Sequence, residues 1–323
     1  TLDLSFNLIR EIKGLDQLVE LEDLNLCKNK IGNIINLKYN LKLKNLNLSK
    51  NENILIEGIK ELTHLEALDL GYTNRKELGE EIQLLTNLKE LYLRSNEKIS
   101  IEGIKNLTNL EVLDLGYTNR KELGEIKNLD NLKELYLYNN NLISMEGIEN
   151  LKKLEILDLS NNEIEKVENI KGLNNLKSID KLKGLDLSYN KIISTEGIEE
   201  LYNLENLYLR NNHIEEIGNL KKLYNLKVLD LSHNKITSMN GIENLYKLKV
   251  LYLMNNKIYK LCNLNDLLQL EYLILDKNKI SDISKIPVKI KYIDLGIQEI
   301  DLKDYKNTEN KYSLNTSFIK LRG

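Results

Sequence analysis

Apolar positions in this chain recur in one phrase, about every 22 residues. Leu21-x-x-Leu24-x-Leu26-x-x-Asn29-x-Ile31 states it. It returns at Leu43, Leu65, Leu88, Leu110, Leu132, Leu154, Leu182, Leu204, Leu226, Leu248 and Leu270, with degenerate copies at Leu2 and Ile290. Self-similarity at a fixed period is the mark of a solenoid, in which each unit stacks only on its neighbours. Within one repeat, Leu229-Asp230-Leu231 alternates apolar and polar residues, which predicts a short strand with one face in and one face out. A second apolar set (Ile236, Ile242, Leu245) brings the chain back along the opposite, convex side.

Between the two sides stands a column of asparagines: Asn7, Asn29, Asn51, Asn96, Asn140, Asn162, Asn190, Asn212, Asn234, Asn256 and Asn278, with Thr73 and Thr118 in two repeats. A buried amide both donates and accepts, so it can satisfy loop backbone groups that no sheet partner reaches. The expected fold is therefore an α/β solenoid of about fourteen repeats, the first truncated, over residues 1–300. A parallel sheet lines its curved concave side, with short helical, 3-10 or irregular segments on the convex side. Residues 301–323 lose the period and read as a cap or tail; Pro287, the only proline, marks the approach to it.

The period breaks twice. Leu159 to Leu187 spans 28 residues, which predicts a six-residue insertion around Asn174–Leu182, read as one more helical turn on the convex side. Leu70 to Leu93 spans 23. Two blocks, Ile56–Asn96 and Ile101–Asn140, nearly duplicate each other, so a two-repeat unit has been copied.

Composition narrows the function classes. A net charge of −3 and a pI near 5.9 do not suit a general nucleic-acid or acidic-membrane partner. No apolar run approaches the roughly 20 residues of a membrane span. No signal peptide is visible, in a chain that starts in mid-repeat at Thr1. Cys27 and Cys262 lie too many repeats apart to pair, which favours a reducing compartment. There is no phosphate loop, no paired-cysteine motif and no metalloprotease motif. His64, His213 and His233 fall in different repeats at different positions. The expectation is a protein that is not an enzyme, without cofactor or metal, and monomeric outside its complex.

The candidate chemistry lies between the strand leucines, where one residue per repeat faces outward. That column reads Asp69, Tyr92, Asp114, Tyr136, Asp158, Asp186, Tyr208, Asp230, Tyr252 in order, with Arg94, Tyr138 and Arg210 beside it. Tyrosine offers a large contact area and a polar end, and rows of Asp among Tyr suit a partner bearing Lys or Arg. These twelve residues are the candidate partner-binding set. Asp between strand leucines also serves solubility, and Tyr is a good strand former, so the column has a purely structural reading too. A second row, Tyr202, Tyr224 and Tyr246, precedes the strands and reads as surface packing.

The phrase Leu-x-x-Leu-x-Leu-x-x-Asn-x-Ile-x-x-Ile resembles the 22-residue class of leucine-rich repeats, and the opening from Thr1 to Leu18 is similar to the regulatory subunit of protein phosphatase 1. That resemblance implies a cytoplasmic or nuclear scaffold, possessing no activity of its own, which docks a phosphatase catalytic subunit on its concave face. The matching positions are Asp69, Tyr92, Asp114, Tyr136, Asp158, Asp230 and Tyr252. The period and phrases such as Lys279-Ile-Ser-Asp-Ile-Ser also resemble internalin-like bacterial surface proteins. This second resemblance implies a secreted or cell-surface adhesion protein.

Overall fold

The structure, a computed structural model, describes residues 1–168, 181–218, 220–287, 289–296, 299–301 and 320–322. Most of the insertion expected around Asn174–Leu182 and most of the expected cap fall outside the described residues. The chain packs as two compact units, Thr1–Asn141 with Asn150–Leu157, and Leu142–Glu149 with Asp158–Gly323.

In the first unit the strands are β1 (Leu2–Asp3), β2 (Asp23–Asn25), β3 (Asn45–Asn47), β4 (Ala67–Asp69), β5 (Glu90–Tyr92), β6 (Val112–Asp114) and β7 (Glu134–Tyr136). Each pairs in parallel with the next, leucine opposite leucine: Leu24 with Leu46, Leu46 with Leu68, Leu68 with Leu91. The register survives the 23-residue spacing. The additional residue is absorbed on the return path, where Gly79-Glu80-Glu81-Ile82 stands in place of Gly124-Glu125-Ile126 in the copied block. β8 (Ile156–Asp158) falls where the two units divide. The second unit carries β9 (Gly184–Asp186), β10 (Asn206–Tyr208), β11 (Val228–Asp230), β12 (Val250–Tyr252), β13 (Tyr272–Ile274) and β14 (Tyr292–Asp294), again parallel in chain order. β15 (Glu299–Asp301) and β16 (Lys320–Arg322) pair separately.

The inward strand leucines are fully enclosed; Leu91, Leu113, Leu207 and Leu229 each expose 0% of their surface. Burying such a side chain contributes about 1.5–3 kcal/mol, and the stack repeats that contribution in every turn. Among the described residues the return segments contain 3-10 turns, such as Ile59–Glu61, Ile104–Asn106 and Ile148–Asn150, and irregular chain, but no α-helix. The recurring Glu-Gly-Ile phrase starts these segments. Its glycine amide is capped by a glutamate: Glu81 for Gly58, Glu125 for Gly103, Glu149 for Gly147 and Glu199 for Gly197, and Glu243 does the same for Gly241 in the variant phrase Asn240-Gly241-Ile242. Gly197 takes φ +98, and a Cβ there would lie 2.1 Å from the Val167 carbonyl oxygen, so no larger residue fits.

The asparagine column works as the sequence implies. Asn234 Nδ2 donates to the carbonyls of Leu209 (2.9 Å) and Leu231 (3.0 Å), while its Oδ1 accepts from the Ile214 amide (3.0 Å). Thr73 offers a single hydroxyl proton, which goes to the Leu70 carbonyl at 2.7 Å. The neighbouring loop amide, on Asn53, turns instead to the Thr73 carbonyl (2.9 Å) and Asn53 takes φ 57. The residue before each Asn or Thr sits in the left-handed region, even where it is aromatic: Phe6 (φ 57), Tyr72 (φ 57), Tyr117 (φ 55), Tyr189 (φ 56). That conformation costs roughly 1–2 kcal/mol for an L-residue, so the side-chain amide and strand hydrogen bonds must outweigh it in every turn.

Candidate functional site: the outward strand face

In the first unit the candidate residues engage one another. Arg94 follows β5 and reaches back to Asp69 (Nη2 to Oδ2, 3.1 Å) and forward to Asp114 (Nη1 to Oδ2, 3.4 Å). Its guanidinium carbon lies 5.8 Å from the centre of the Tyr92 ring. Asp114 exposes only 6% of its surface. Burial raises the Asp114 carboxyl above its ordinary range, against the opposing pull of the Gly116 amide and Arg94. Burial works against charge on Arg94 too, but Asp69 and Asp114 hold its guanidinium above its usual value. The tyrosines are also engaged. Tyr92 donates to Glu90 (2.9 Å) and Tyr136 to Glu134 (2.7 Å). Tyr138 lies edge-on to Tyr117, ring centres 5.6 Å apart, with its hydroxyl 3.5 Å from Asp114.

Two glycines make this arrangement fit. A Cβ on Gly71 would lie 3.0 Å from Arg94 Cγ and 3.1 Å from Asp69 Oδ1. A Cβ on Gly116 would lie 2.4 Å from the Tyr138 ring. Arg94 and Tyr138 therefore lie down across the strands because the residue two after each Asp has no side chain.

The second unit repeats the lettering and breaks the arrangement. Asp186, Tyr208, Arg210 and Asp230 occupy the positions of Asp69, Tyr92, Arg94 and Asp114. The residues two after the acids are now Ser188 and Ser232, both buried. A side chain at position 188 stands where its first-unit counterpart leaves room for the arginine stem. Arg210 turns away and donates from Nη2 to His233 Nε2 (3.2 Å). A guanidinium only donates, so that imidazole nitrogen carries the lone pair. Burial and then Arg210 lower the His233 pKa, which keeps the ring neutral.

Asp158, Asp186 and Asp230 thus have no ion pair among the described residues, although each accepts the amide two residues on, from Ser160, Ser188 and Ser232 at 2.8–2.9 Å. The Asp186 carboxyl is raised by burial, and Asp158 and Asp230 add to the shift. Tyr208 has no hydroxyl partner among the described residues, since Asn206 stands where Glu90 stands beside Tyr92. Downstream the face becomes aromatic: Tyr252, Tyr272 and Tyr292 are 37%, 43% and 38% exposed, and the last two rings lie 6.3 Å apart.

Nine of the twelve sequence-expected residues therefore stand on outward strand positions and Arg94, Tyr138 and Arg210 two residues past strand ends, but as an internally satisfied group in one unit and an open group in the other. The sequence reading treated the two groups alike. It passed over Gly71, Gly116, Ser188 and Ser232, although Leu-Asp-Leu-Gly against Leu-Asp-Leu-Ser is visible in the lettering. It also missed a hollow of about 570 Å³ over β1–β5, floored by short side chains such as Asn25, Asn47 and Ala67 and bounded by Tyr92 and Arg94. The row Tyr202, Tyr224, Tyr246 is 45–51% exposed. Among the described residues no three His, Cys, Asp or Glu side chains converge as metal ligands, and no helix is long and apolar enough to cross a membrane.

Stacked parallel strands joined through a side-chain asparagine column define the class of protein. The leucine-rich repeat region family matches residues 5–146, the two-copy leucine-rich repeat family 130–175 and 180–222, and the leucine-rich repeat family 203–258. The chain belongs to the leucine-rich-repeat proteins. An internalin of Listeria monocytogenes is similar at 25% identity and a TM-score of 0.80, over 97% of this chain and 90% of that one. A leucine-rich-repeat protein of Leptospira interrogans is similar at 26% identity and a TM-score of 0.83, over 97% and 95%. No curated protein matches the chain in sequence.

Proposed function

We propose that this protein is a non-enzymatic scaffold that holds a protein partner on the outward face of its strands. The observation that carries this reading is the register of the face. One outward side chain per repeat, acidic or tyrosine in most turns, stands in line on parallel strands, with phenol rings half exposed in the second unit. Rigid, amphipathic rings beside carboxylates suit a protein surface carrying basic and apolar groups.

The partner class has two readings. The internalin likeness, at 25% identity over nearly the whole chain, supports adhesion to a partner protein outside the cell. The opening repeat phrase and the matching positions Asp69 to Asp158 support a phosphatase catalytic subunit inside it. The internalin reading is the stronger, because it rests on similarity over the whole length rather than on one stretch.

Capture from source-cell extract and from extracellular-matrix protein tests both, using wild type and a Tyr136→Ala/Tyr208→Ala/Tyr252→Ala variant. The expected result is a partner held by wild type and lost by the variant. Equal capture by both proteins removes the strand face from the mechanism. Binding of a purified phosphatase catalytic subunit to wild type alone would favour the second reading.

A further inference from the structure

The protein carries its own example of what its acidic column receives. In the first unit Asp69, Tyr92 and Asp114 enclose a guanidinium, that of Arg94, held by two carboxylates and set against an aromatic ring. In the second unit Asp186, Tyr208 and Asp230 repeat those groups in the same register, and their own arginine is drawn off to His233. Charged groups in half-buried positions are ordinarily paired, because burial without a counter-charge is unfavourable. Asp186 is such a group, made more costly by the carboxylates on either side. Arginine suits the site better than lysine, because a planar fork can bond two carboxylates and stack on a ring at once.

We propose that Asp186, Tyr208 and Asp230 receive an arginine side chain of the partner protein, in the way Asp69, Tyr92 and Asp114 receive Arg94. The exposed rings of Tyr252 and Tyr272, one and two strands further on, bed the apolar residues beside that arginine. The partner segment is therefore extended, basic and apolar in alternation. Ser188 stands at the register position of Gly71, where a Cβ would lie 3.0 Å from the stem of Arg94, and so keeps the site open. This inference rests on the strand-face reading above and adds the chemistry of the partner.

The test is an NMR titration of the full chain with the blocked peptide acetyl-Gly-Val-Arg-Val-Gly-amide and with its citrulline analogue, which keeps the shape and loses the charge. Wild type should show saturable shifts at Asp186 and Tyr208, with the citrulline peptide at least tenfold weaker. Asp186→Asn should weaken the arginine peptide about tenfold. Ser188→Gly should do the same, because Arg210 can then swing onto Asp186. Gly71→Ser should expel Arg94 and raise the stoichiometry from one peptide to two. Equal binding of the two peptides, no saturable shift, or insensitivity to both Asp186→Asn and Ser188→Gly overturns the inference. Should these peptide results fail while the triple tyrosine variant still loses its partner, the arginine socket falls and the strand-face reading stands. Retained capture by that variant removes the strand-face reading itself.

Discussion

The groups Asp69–Tyr92–Arg94–Asp114 and Asp186–Tyr208–Arg210–Asp230 are identical in residue type, order and strand register. They differ in their ionic connections. In the first, the arginine joins two carboxylates and the phenol is bonded to Glu90. In the second, three carboxylates including Asp158 have no cation and the phenol has no partner among the described residues. The residues that decide this lie outside the group: Gly71 against Ser188, Tyr117 against His233, Glu90 against Asn206. A binding column cannot be read from its own letters, because a neighbour one repeat away decides which of its charges are already used.

The comparison assumes a common scaffold beneath both groups, and the largest expected effect tests that. Asn96 accepts from the Arg75 amide (2.8 Å) and donates to Leu70 and Leu93; Asn212 accepts from Ile192 (2.9 Å) and donates to Leu187 and Leu209. Asn96→Leu leaves the Arg75 amide and the Leu93 carbonyl without these bonds, while Thr73 still holds the Leu70 carbonyl. Asn212→Leu leaves the Ile192 amide without its acceptor, while Asn190 and Asn234 still hold the Leu187 and Leu209 carbonyls. Each group left unsatisfied costs roughly 1–3 kcal/mol. Both variants should be clearly destabilised in urea denaturation, Asn96→Leu more than Asn212→Leu. A large loss at one site and none at the other would mean that the two scaffolds are not equivalent.

Gly71→Ser comes next. Crowding Arg94 Cγ should displace the guanidinium from Asp69 and cost about 1–2 kcal/mol, as a moderate overpacking does. The reciprocal Ser188→Gly should be close to neutral in stability while moving Arg210 toward Asp186, seen as a fall in the Asp186 pKa by carboxyl NMR. An unmoved Asp186 titration would show that Ser188 is not the deciding residue.

Alkaline pH separates the phenols. Burial first, and then the Glu90 and Glu134 carboxylates, hold the Tyr92 and Tyr136 hydroxyls well above the ordinary value. A group raised on folding contributes stability that is fully present below its unfolded pKa, about 10 for tyrosine, and lost as pH rises past it. Stability should therefore fall above that pH, and less steeply in Tyr92→Phe/Tyr136→Phe. An unchanged slope in the double variant would remove these two hydroxyls from the alkaline transition.

The smallest effect concerns the cysteines, both free. Burial, followed by Glu243, pushes the Cys262 thiol of the second unit up to about 12, while Cys27 of the first unit is half-exposed. Alkylation by iodoacetamide at pH 8 should label Cys27 within minutes and leave Cys262 unmodified until unfolding, because the thiolate is the reactive form. Equal labelling of the folded protein would mean that the second unit opens far more readily than its core implies.

Much of this molecule was legible before any coordinates. The leucine period gave strand and register, since a residue 22 positions on must lie opposite in a stack of identical turns. The asparagine column gave the loop bonding, since a short carboxamide supplies two donors and an acceptor at that point. The outward column followed from the two-residue alternation of a strand. Regular structure of this kind depends on backbone geometry and on which residues avoid water, and both are written locally in the sequence. The ionic connections are not. Arg94 lies across Asp69 over Gly71, where a Cβ would stand 3.0 Å from Arg94 Cγ, and Gly71 is a residue 23 positions away that only the stacked strands bring alongside. Tertiary structure decided which acids are spent and which are open, because a charged side chain chooses among several partners within reach, and a single neighbouring Cβ is enough to change that choice.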